Sequence, residues 1–417
     1  TYRTASPAWL PSLLLSLSLT GFAGLTLAQS TPPAEAPKET MRAEVGKPLL
    51  AAEELAKAKN FNDALTKIAE AEAVPNRTAY ETYFINRLRA TTSLSAGKDE
   101  QAVKSLVLAY ESTYMPAADK AKIGDAITRI FYRLKDYKQA AEWGDRTLKE
   151  PGAPQDLRLL IGHSLYLQND FPAAIKELEA YIAATEKAGK KVPEEQYRLL
   201  ASSANKAKND AMYVAVVEKL IQTYPKRDYW ADLIYRTESR KGFNDRLTLD
   251  VYRLKIATDV LSEPSEFMEV AQYTLQLGFP TEAMKALDAG VAAGALGKEG
   301  NQDRYKKLRD NVEKEVKEEK ARAAKGGAIP NTSVAKLNNG FDLVIKGEGK
   351  KGLELMEAGL KLPDLKRPEE AKLRFGIAHV LAGERDKAVE VLSTVQGADG
   401  TADLARLWIL FAKQPKA

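Results

Sequence analysis

The stretch LLIGHSLYLQNDFPAAIKELEAYI, residues 159–182, decides the fold of this chain. A small residue, Gly162, stands in the middle of a first apolar helical pattern, and an Asn-Asp dipeptide then marks a turn. Phe171 follows the turn, and Ala174 opens the apolar face of a second helical pattern. Small residues at those two places let antiparallel helices approach closely, so the stretch predicts a helical hairpin.

The same template recurs along the chain. The alanines that open the second helix of successive hairpins are spaced by 38, 38 and 34 residues, at Ala64, Ala102, Ala140 and Ala174. The fifth hairpin has Tyr213 at this place, which predicts looser packing there. One hairpin cannot bury its apolar face alone, so self-similarity at such a period is typical of stacked helical repeats. We therefore predict an all-α solenoid of about eight helix pairs in two arrays, preceded by a signal peptide.

The template and its interruptions define the predicted organisation. The segments are a signal peptide (1–28), a Pro/Ala-rich disordered tether (29–44), an N-terminal array (45–225), a divergent helix pair (226–263), one further repeat (264–299), a charged helix or spacer (300–330) and a C-terminal array with a capping helix (331–417). The charged stretch is expected to be solvated and to separate the two arrays, and a dedicated interaction helix is the alternative. The final helix is expected to cover the exposed edge of the last repeat.

The first 28 residues differ in composition from the rest of the chain. They carry one charge, Arg3, and an apolar or small run from Leu13 to Leu27. The run is short for a membrane span and ends in small residues before Gln29, which predicts a cleaved secretory signal; a retained anchor is the alternative. No cysteine follows the run, which argues against a bacterial lipid anchor. We expect a periplasmic or secreted protein with no integral membrane segment after cleavage.

Composition disfavours several classes of function. The 417 residues include 62 basic and 57 acidic side chains, and this nearly even balance does not indicate a nucleic-acid-binding protein. Cysteine is absent and the two histidines, His163 and His379, are far apart, which removes disulfides and most zinc sites. The chain also has no Walker loop, nucleophile elbow or zinc-protease motif. We therefore expect a binding protein with no catalytic site, cofactor or metal.

Two stretches, residues 159–182 and FGIAHVLAGERDKAVEVLSTV at residues 375–395, resemble the tetratricopeptide repeat family. The resemblance runs from about Val45 to the C-terminus, with a divergent middle. It implies a right-handed superhelix whose groove binds peptides or partner domains. The signal, tether and repeat layout are similar to those of exported bacterial members associated with TonB-type energy transduction. The resemblance thus implies a periplasmic adaptor of an envelope complex.

The family's groove positions, carried over onto this sequence, give a basic and aromatic set of residues. The set is Arg87, Arg129, Tyr132, Arg133, His163, Tyr166, Arg198, Asn205 and Lys206. Arginine and tyrosine often carry the binding energy of interfaces. The set is therefore expected to bind an acidic segment or a free C-terminal carboxylate of a protein partner, with TonB-system subunits as candidates. Ordinary surface charges are the alternative interpretation of these residues.

A second function remains open at this stage. The array is also compatible with a bridging structural component of an exopolysaccharide-export or outer-membrane assembly complex. Its aromatic side chains, among them Tyr83, Tyr114 and Trp230, either stack on sugars or fill the core between repeats.

Overall fold

A computed structural model describes residues 40–297, 302–324 and 328–414 of the chain. The predicted signal peptide and all but the last residues of the predicted tether lie outside the described residues. Within those ranges the secondary structure consists of twenty α-helices and one 3-10 turn, without a strand. None of the described helices is both long and apolar enough to cross a bilayer. The prediction of an all-α fold is confirmed.

The chain divides into two compact units, Thr1–Val192 and Pro193–Ala417, which we describe separately. The first unit contains four antiparallel helix pairs in its described part. They are α1 (Ala43–Lys57) with α2 (Phe61–Ala73), α3 (Ala79–Ser95) with α4 (Asp99–Tyr110), α5 (Ala117–Arg133) with α6 (Tyr137–Thr147), and α7 (Leu157–Leu167) with α8 (Phe171–Lys187).

The second unit contains four further pairs and four unpaired helices in its described part. The pairs are α9 (Glu194–Lys206) with α10 (Asp210–Thr223), α13 (Pro264–Gln276) with α14 (Pro280–Ala292), α16 (Ser333–Ile345) with α17 (Gly349–Leu360), and α18 (Pro368–Leu381) with α19 (Arg385–Leu392). The unpaired helices are α11 (Arg227–Glu238), α12 (Thr248–Ala257), α15 (Gln302–Ala324) and α20 (Thr401–Ala412). The two units together show the predicted eight tetratricopeptide-like pairs.

All eight pairs share one turn between their two helices. Each turn holds one residue in the left-handed backbone conformation: Lys59, Gly97, Lys135, Asn169, Lys208, Gly278, Gly347 or Gly383. The next backbone N–H then bonds a carbonyl of the first helix, as Asp136 N does to Phe131 O at 3.0 Å. This pattern satisfies carbonyls at the end of the first helix and reverses the chain. The repeat is therefore fixed as much by its turn as by its apolar positions.

Small residues lie where the two helices of a pair cross. The four alanines of the template in the first unit are all fully buried. A Cβ atom placed on Gly162 would lie 2.9 Å from Cγ of Leu178 on the facing helix. At Gly340 it would lie 2.6 Å from the carbonyl oxygen of Gly352, because those two backbones are in contact. The structure thus gives the small residues the packing role that the sequence predicts.

Tyr213 does not disturb the fifth pair at its turn. Lys208 is left-handed as in the other pairs, and the Asn209 side chain caps α10 by accepting from Met212 N at 3.1 Å. The Tyr213 hydroxyl donates to Asp232 of α11 at 2.9 Å, and the Arg236 guanidinium lies 3.9 Å from the centre of its ring. The larger side chain is accommodated by contacts with the next helix.

The charged helix α15 is packed against its neighbours, in contrast to the expected solvated spacer. Leu308 and Val312 are buried in a cluster formed with α13 and α14. Thr281 donates to Glu319 at 2.9 Å, and Lys346 lies 3.1 Å from the same carboxylate. Two apolar residues one turn apart suffice to dock one face of a charged helix. The stretch therefore lies within the second unit, and the structure divides the chain earlier, after Val192.

The second unit buries a group of charges at the junction of α12, α14 and α16. The Arg253 guanidinium donates to both carboxylate oxygens of Glu282 at 2.7 and 2.8 Å and to Asp250 at 2.8 Å. It also lies 4.0 Å from the centre of the Phe341 ring. All three charged side chains are buried. Burial opposes the charge, but Glu282 and Asp250 raise the pKa of Arg253 above its ordinary value.

Candidate functional site

The predicted groove residues fall on both units. Six of them, Arg87, Arg129, Tyr132, Arg133, His163 and Tyr166, belong to the first unit, and Arg198, Asn205 and Lys206 belong to the second. The first group occupies the first helices of three successive pairs, α3, α5 and α7. Within this group Tyr132, His163 and Tyr166 contact one another.

One face of α3, α5 and α7 forms a continuous surface, which we call the A face. Its residues recur at intervals of three and four along each helix, a spacing that places side chains on one side. They are Phe84, Arg87, Thr91 and Leu94 on α3, Asp125, Arg129 and Tyr132 on α5, and Leu159, His163 and Tyr166 on α7, with Asp156 directly before α7. Arg129 reaches Asp156 at 2.9 Å and Tyr132 bonds His163, so α5 and α7 lie side by side on this face.

The arginines of α5 are compensated by acidic neighbours. Arg129 donates to Asp125 at 2.8 Å within α5 as well as to Asp156, and Arg133 pairs with Asp99 at the start of α4. Burial raises the pKa of Asp125 even though Arg129 acts in the opposite direction. The predicted basic groove is therefore a set of local ion pairs, and its positive charge is largely neutralised where it arises.

Arg87 differs from Arg129 and Arg133, the two arginines of α5 just described. Within the described part of the chain its guanidinium makes no hydrogen bond or ion pair. It borders a small apolar cavity of about 20 Å³ between α3, α4 and α5, together with Asp119 and Met115. That volume holds one water molecule at most. The cavity is too small for a ligand, but Arg87 remains available to a partner at the edge of the face.

The aromatic side chains of the A face form a row in which each ring contacts the next. The Tyr132 hydroxyl and His163 Nδ1 share a hydrogen bond, and the His163 and Tyr166 rings are stacked with centres 6.5 Å apart. Tyr137 and Phe171 extend the row through edge contacts with Tyr132 and Tyr166, each at 5.6 Å. All five side chains are half-buried. We call this set the aromatic row.

Tyr132 and His163, which share a hydrogen bond in the aromatic row, are both uncharged near neutral pH. Burial raises the pKa of Tyr132 to about 12, and burial lowers the pKa of His163 below its ordinary value. Tyrosine is therefore protonated and histidine is neutral. The row offers a partner flat apolar faces with polar edges, a combination that suits backbone amides and apolar side chains of a polypeptide.

The three predicted residues of the second unit do not form a comparable surface. Arg198 and Lys206 are exposed on α9. The Asn205 side chain accepts a hydrogen bond at 3.1 Å from Arg236, which is already engaged with Tyr213 and Asp232. These contacts hold α9, α10 and α11 together.

Sequence reasoning missed a cleft in the second unit. It has a volume of about 260 Å³ and lies between α10, α11 and α20. Val214, Leu233 and Leu407 form its apolar part, while its rim carries charged side chains: Asp210, Arg236, Arg240, Asp403 and Arg406. Because α20 is almost 200 residues away from α10 along the chain, no local pattern of the sequence could have indicated this cleft. The buried Arg253 group was missed for the same reason.

The described residues show no arrangement that indicates catalysis. No group of three or more His, Asp or Glu side chains in those ranges is placed to hold a metal ion. His163 bonds a tyrosine, and Nδ1 of the buried His379 lies 2.9 Å from the more exposed Glu384. Among the described residues neither histidine shares a hydrogen bond with a serine or threonine that it could activate as a nucleophile.

Comparisons with known proteins give structural likeness only. No family model matches the chain, and no curated protein matches its sequence. Among solved structures, it is similar to the C-terminal part of a TPR repeat-containing protein from Cytophaga hutchinsonii, with 16% identity over 60% of this chain and 96% of that one and a TM-score of 0.32. A second is pilF from Pseudomonas aeruginosa, with 12% identity over 46% of this chain and 97% of that one and a TM-score of 0.26.

A third similar structure is the TPR2AB domain of yeast Sti1 in its complex with pHSP90. The identity is 15% over 64% of this chain and 98% of that one, with a TM-score of 0.26. These superpositions are too poor to carry an argument about function. The tetratricopeptide-like character of the chain rests on its own eight helix pairs, their common turn and their small residues at the crossings.

Proposed function

We propose that this chain is a non-catalytic, protein-binding scaffold exported to the periplasm, where it acts as an adaptor of a bacterial envelope complex. The partner we favour is a subunit of a TonB-type transport system. The observation that supports binding is the half-buried aromatic row, whose central residues Tyr132, His163 and Tyr166 lie across α5 and α7 of the A face. The supports for export are the apolar N-terminal run and the tether that follows it in the sequence.

The A face suits an extended polypeptide segment of low charge better than a strongly charged segment. Tyrosine supplies contact area at a small cost in side-chain entropy, since it has only two rotatable side-chain bonds. The ion pairs of Arg129 and Arg133 already satisfy those guanidinium groups. Recognition is therefore expected to come from stacking and from hydrogen bonds at the aromatic row. Arg87 is the arginine of the A face that can still donate hydrogen bonds to a carboxylate of the partner.

The binding surface can be tested by site-specific photo-crosslinking in intact cells of the source organism. A photoreactive phenylalanine derivative replaces Tyr166 on the A face in one variant and Lys176 in the other. Lys176 is exposed on α8 and lies outside the A face, so it serves as the matched control. We expect Tyr166 alone to capture a TonB-type subunit, and Tyr132→Ala to reduce that product. Equal capture from both positions of polysaccharide-export or outer-membrane assembly subunits would instead favour the bridging component.

Export can be tested separately by cell fractionation and N-terminal sequencing of the mature protein. We expect the chain in the periplasmic fraction with an N-terminus close to Gln29. A chain that keeps its apolar N-terminal run and stays in the cytoplasm would contradict the proposed location, but it would leave the binding role of the A face intact.

A further inference from the structure

The cleft between α10, α11 and α20 is bordered by three arginines, of which one is a structural anchor. Arg240 forms an ion pair with Asp403 at 2.7 Å and donates to the Ala398 carbonyl at 2.6 Å. These contacts fix the start of α20 against the residues that follow α11. Arg240 therefore holds one wall of the cleft in place.

The other two arginines keep hydrogen-bond donors that their protein contacts do not use. Arg406 lies 2.9 Å from Glu218 through its Nε atom, and its side chain is 52% exposed. Within the described residues the two terminal nitrogens of Arg406 make no hydrogen bond or ion pair. Arg236 donates from Nε to Asp232 at 3.2 Å, while its Nη1 atom lies 3.9 Å from Asp210, beyond hydrogen-bond length. Each guanidinium group is thus held at one edge and offers donors at another.

The floor and one wall of the cleft are apolar. Leu233 and Leu407 close the floor and are each 1% exposed, so α11 and α20 are well packed beneath it. On α10, Val214 is half-buried and Ala211 is exposed, which leaves an apolar wall that a ligand can reach. The volume of about 260 Å³ is just below the roughly 300–1,000 Å³ of sites for drug-sized ligands, so the cleft suits a small molecule.

The first turn of α10 adds backbone donors at the rim of the cleft. The Asn209 side chain accepts from Met212 N at 3.1 Å, and the N–H groups of Asp210 and Ala211 before it have no partner within the helix. The positive end of the helix dipole favours an anion at this place. The Asp210 side chain opposes an anion, but it is 85% exposed and therefore screened by solvent.

We propose that this cleft is a binding site for a small organic carboxylate. The carboxylate group accepts hydrogen bonds from the free edge of Arg406 and from Arg236 Nη1, and the apolar part of the molecule lies on Val214 and Ala211. A guanidinium group matches the two oxygens of a carboxylate, and the apolar wall distinguishes an organic acid from inorganic phosphate. The site belongs to the second unit and does not depend on the A face or on the proposed adaptor function.

Phenylacetate is a suitable probe, with phenylacetamide as an uncharged molecule of the same shape and inorganic phosphate as an anion without an apolar part. Saturation-transfer NMR on the purified full chain measures the first two, and displacement of phenylacetate measures phosphate. We expect phenylacetate to bind with a Kd of about 1 mM or tighter, and the other two to bind about tenfold more weakly. Equal affinity of phenylacetate for the chain with either comparison molecule would overturn the proposal, as would no binding of phenylacetate up to about 10 mM.

Variants assign the binding to the cleft. Arg406→Lys keeps a positive charge beside Glu218 but removes the free guanidinium edge, and Ala211→Phe fills the apolar wall from an exposed position. Each should weaken phenylacetate binding about tenfold. The control is Arg304→Gln on α15, which changes an exposed arginine that does not line the cleft and should leave the affinity unchanged.

The two cleft variants also protect the test against a failure to fold. Circular dichroism checks the helix content of each variant, and Ala211→Phe alone decides if Arg406→Lys does not fold. Full phenylacetate binding in a folded Ala211→Phe chain would overturn the proposal, because the probe would then occupy another place. A loss of binding in Arg304→Gln equal to that in Arg406→Lys would also overturn it, since the effect would then reflect overall charge.

Discussion

The two units stack their helix pairs with different chemistry. In the first unit the pairs meet through apolar side chains, as where Tyr110 packs edge to face on Trp143 with ring centres 5.1 Å apart. Its ion pairs, such as Arg146 with Glu111, lie mostly at the surface. In the second unit Arg253 and its two carboxylates are buried where the repeat pattern is interrupted. A regular repeat lets identical apolar faces match, whereas an irregular junction is joined by directed hydrogen bonds.

The largest expected effect tests that contrast directly. Arg253→Met should lower the free energy of unfolding of the second unit by about 3–5 kcal/mol, because it leaves buried Glu282 without its counter-charge. Hydrogen exchange of the second unit measures this loss without requiring a single transition for the whole chain. In the first unit, Arg146→Met should cost less than about 1 kcal/mol, since that pair is solvated.

A compensating variant separates charge burial from simple loss of packing. Arg253→Met/Glu282→Leu removes both members of the bidentate pair, while Asp250 keeps its ion pair with Arg374 of α18. We expect the double variant to be more stable than Arg253→Met alone. If the double variant were the less stable of the two, the Arg253 group would stabilise the fold through its packing and not through its charge balance.

The next effect compares the helix crossings of the two units. Gly340→Ala should cost about 3 kcal/mol, because the new methyl group meets the Gly352 carbonyl, which is backbone and cannot rotate away. Gly162→Ala should cost about 1 kcal/mol, since the Leu178 side chain that it meets can change its rotamer. Thermal unfolding of each variant measures the difference. Equal losses would mean that the backbones at Gly340 and Gly352 can separate as easily as a leucine rotates.

The sequence predicted the parts of this fold that repeat. A spacing of small residues is enough to locate a helix crossing, so Ala64 and Ala174 were placed correctly in the core. The family resemblance named Arg129, Tyr132 and His163 as groove positions, and the structure brings Tyr132 and His163 into contact. Spacing could not show that Asp156 would neutralise Arg129, because that pairing depends on how adjacent pairs stack. Contacts between distant helices, such as Arg253 with Glu282 or Arg240 with Asp403, have no local signature.

Glu81, a buried carboxylate of the first unit, gives that unit a dependence on acid pH. The hydrogen bonds from Arg42, against the opposing effect of burial, lower the pKa of Glu81 to about 2. An unfolded glutamate titrates near 4.3, so the folded state is stabilised above that pH and loses this contribution as the pH falls toward 2. Thermal melts between pH 5 and about 2 should show the loss, and Glu81→Gln should flatten the profile.

The smallest effect concerns the shared turn, where the two units differ in residue type. The first unit places Lys59, Lys135 and Asn169 in the left-handed conformation, whereas the later pairs of the second unit place glycine there. That conformation costs a residue with a Cβ atom about 1–2 kcal/mol, and a glycine in the unfolded chain offsets part of this through its greater entropy. Lys135→Gly should therefore stabilise the first unit by about 0.5 kcal/mol, measured as a rise in its unfolding midpoint.

Lys135 is well suited to this test because its side chain is exposed and its turn keeps the backbone bond from Asp136 N to Phe131 O. The reverse change, Gly97→Lys, should destabilise the neighbouring turn by a similar amount, since the space around Gly97 is open and only its backbone angle opposes the lysine. If the two changes had effects of the same sign, the backbone conformation would not be their cause. If the two changes alter stability by similar amounts in opposite directions, the left-handed backbone angle is a local strain for lysine. The first unit then tolerates that strain because its apolar packing outweighs it, whereas the glycines of the second unit avoid it.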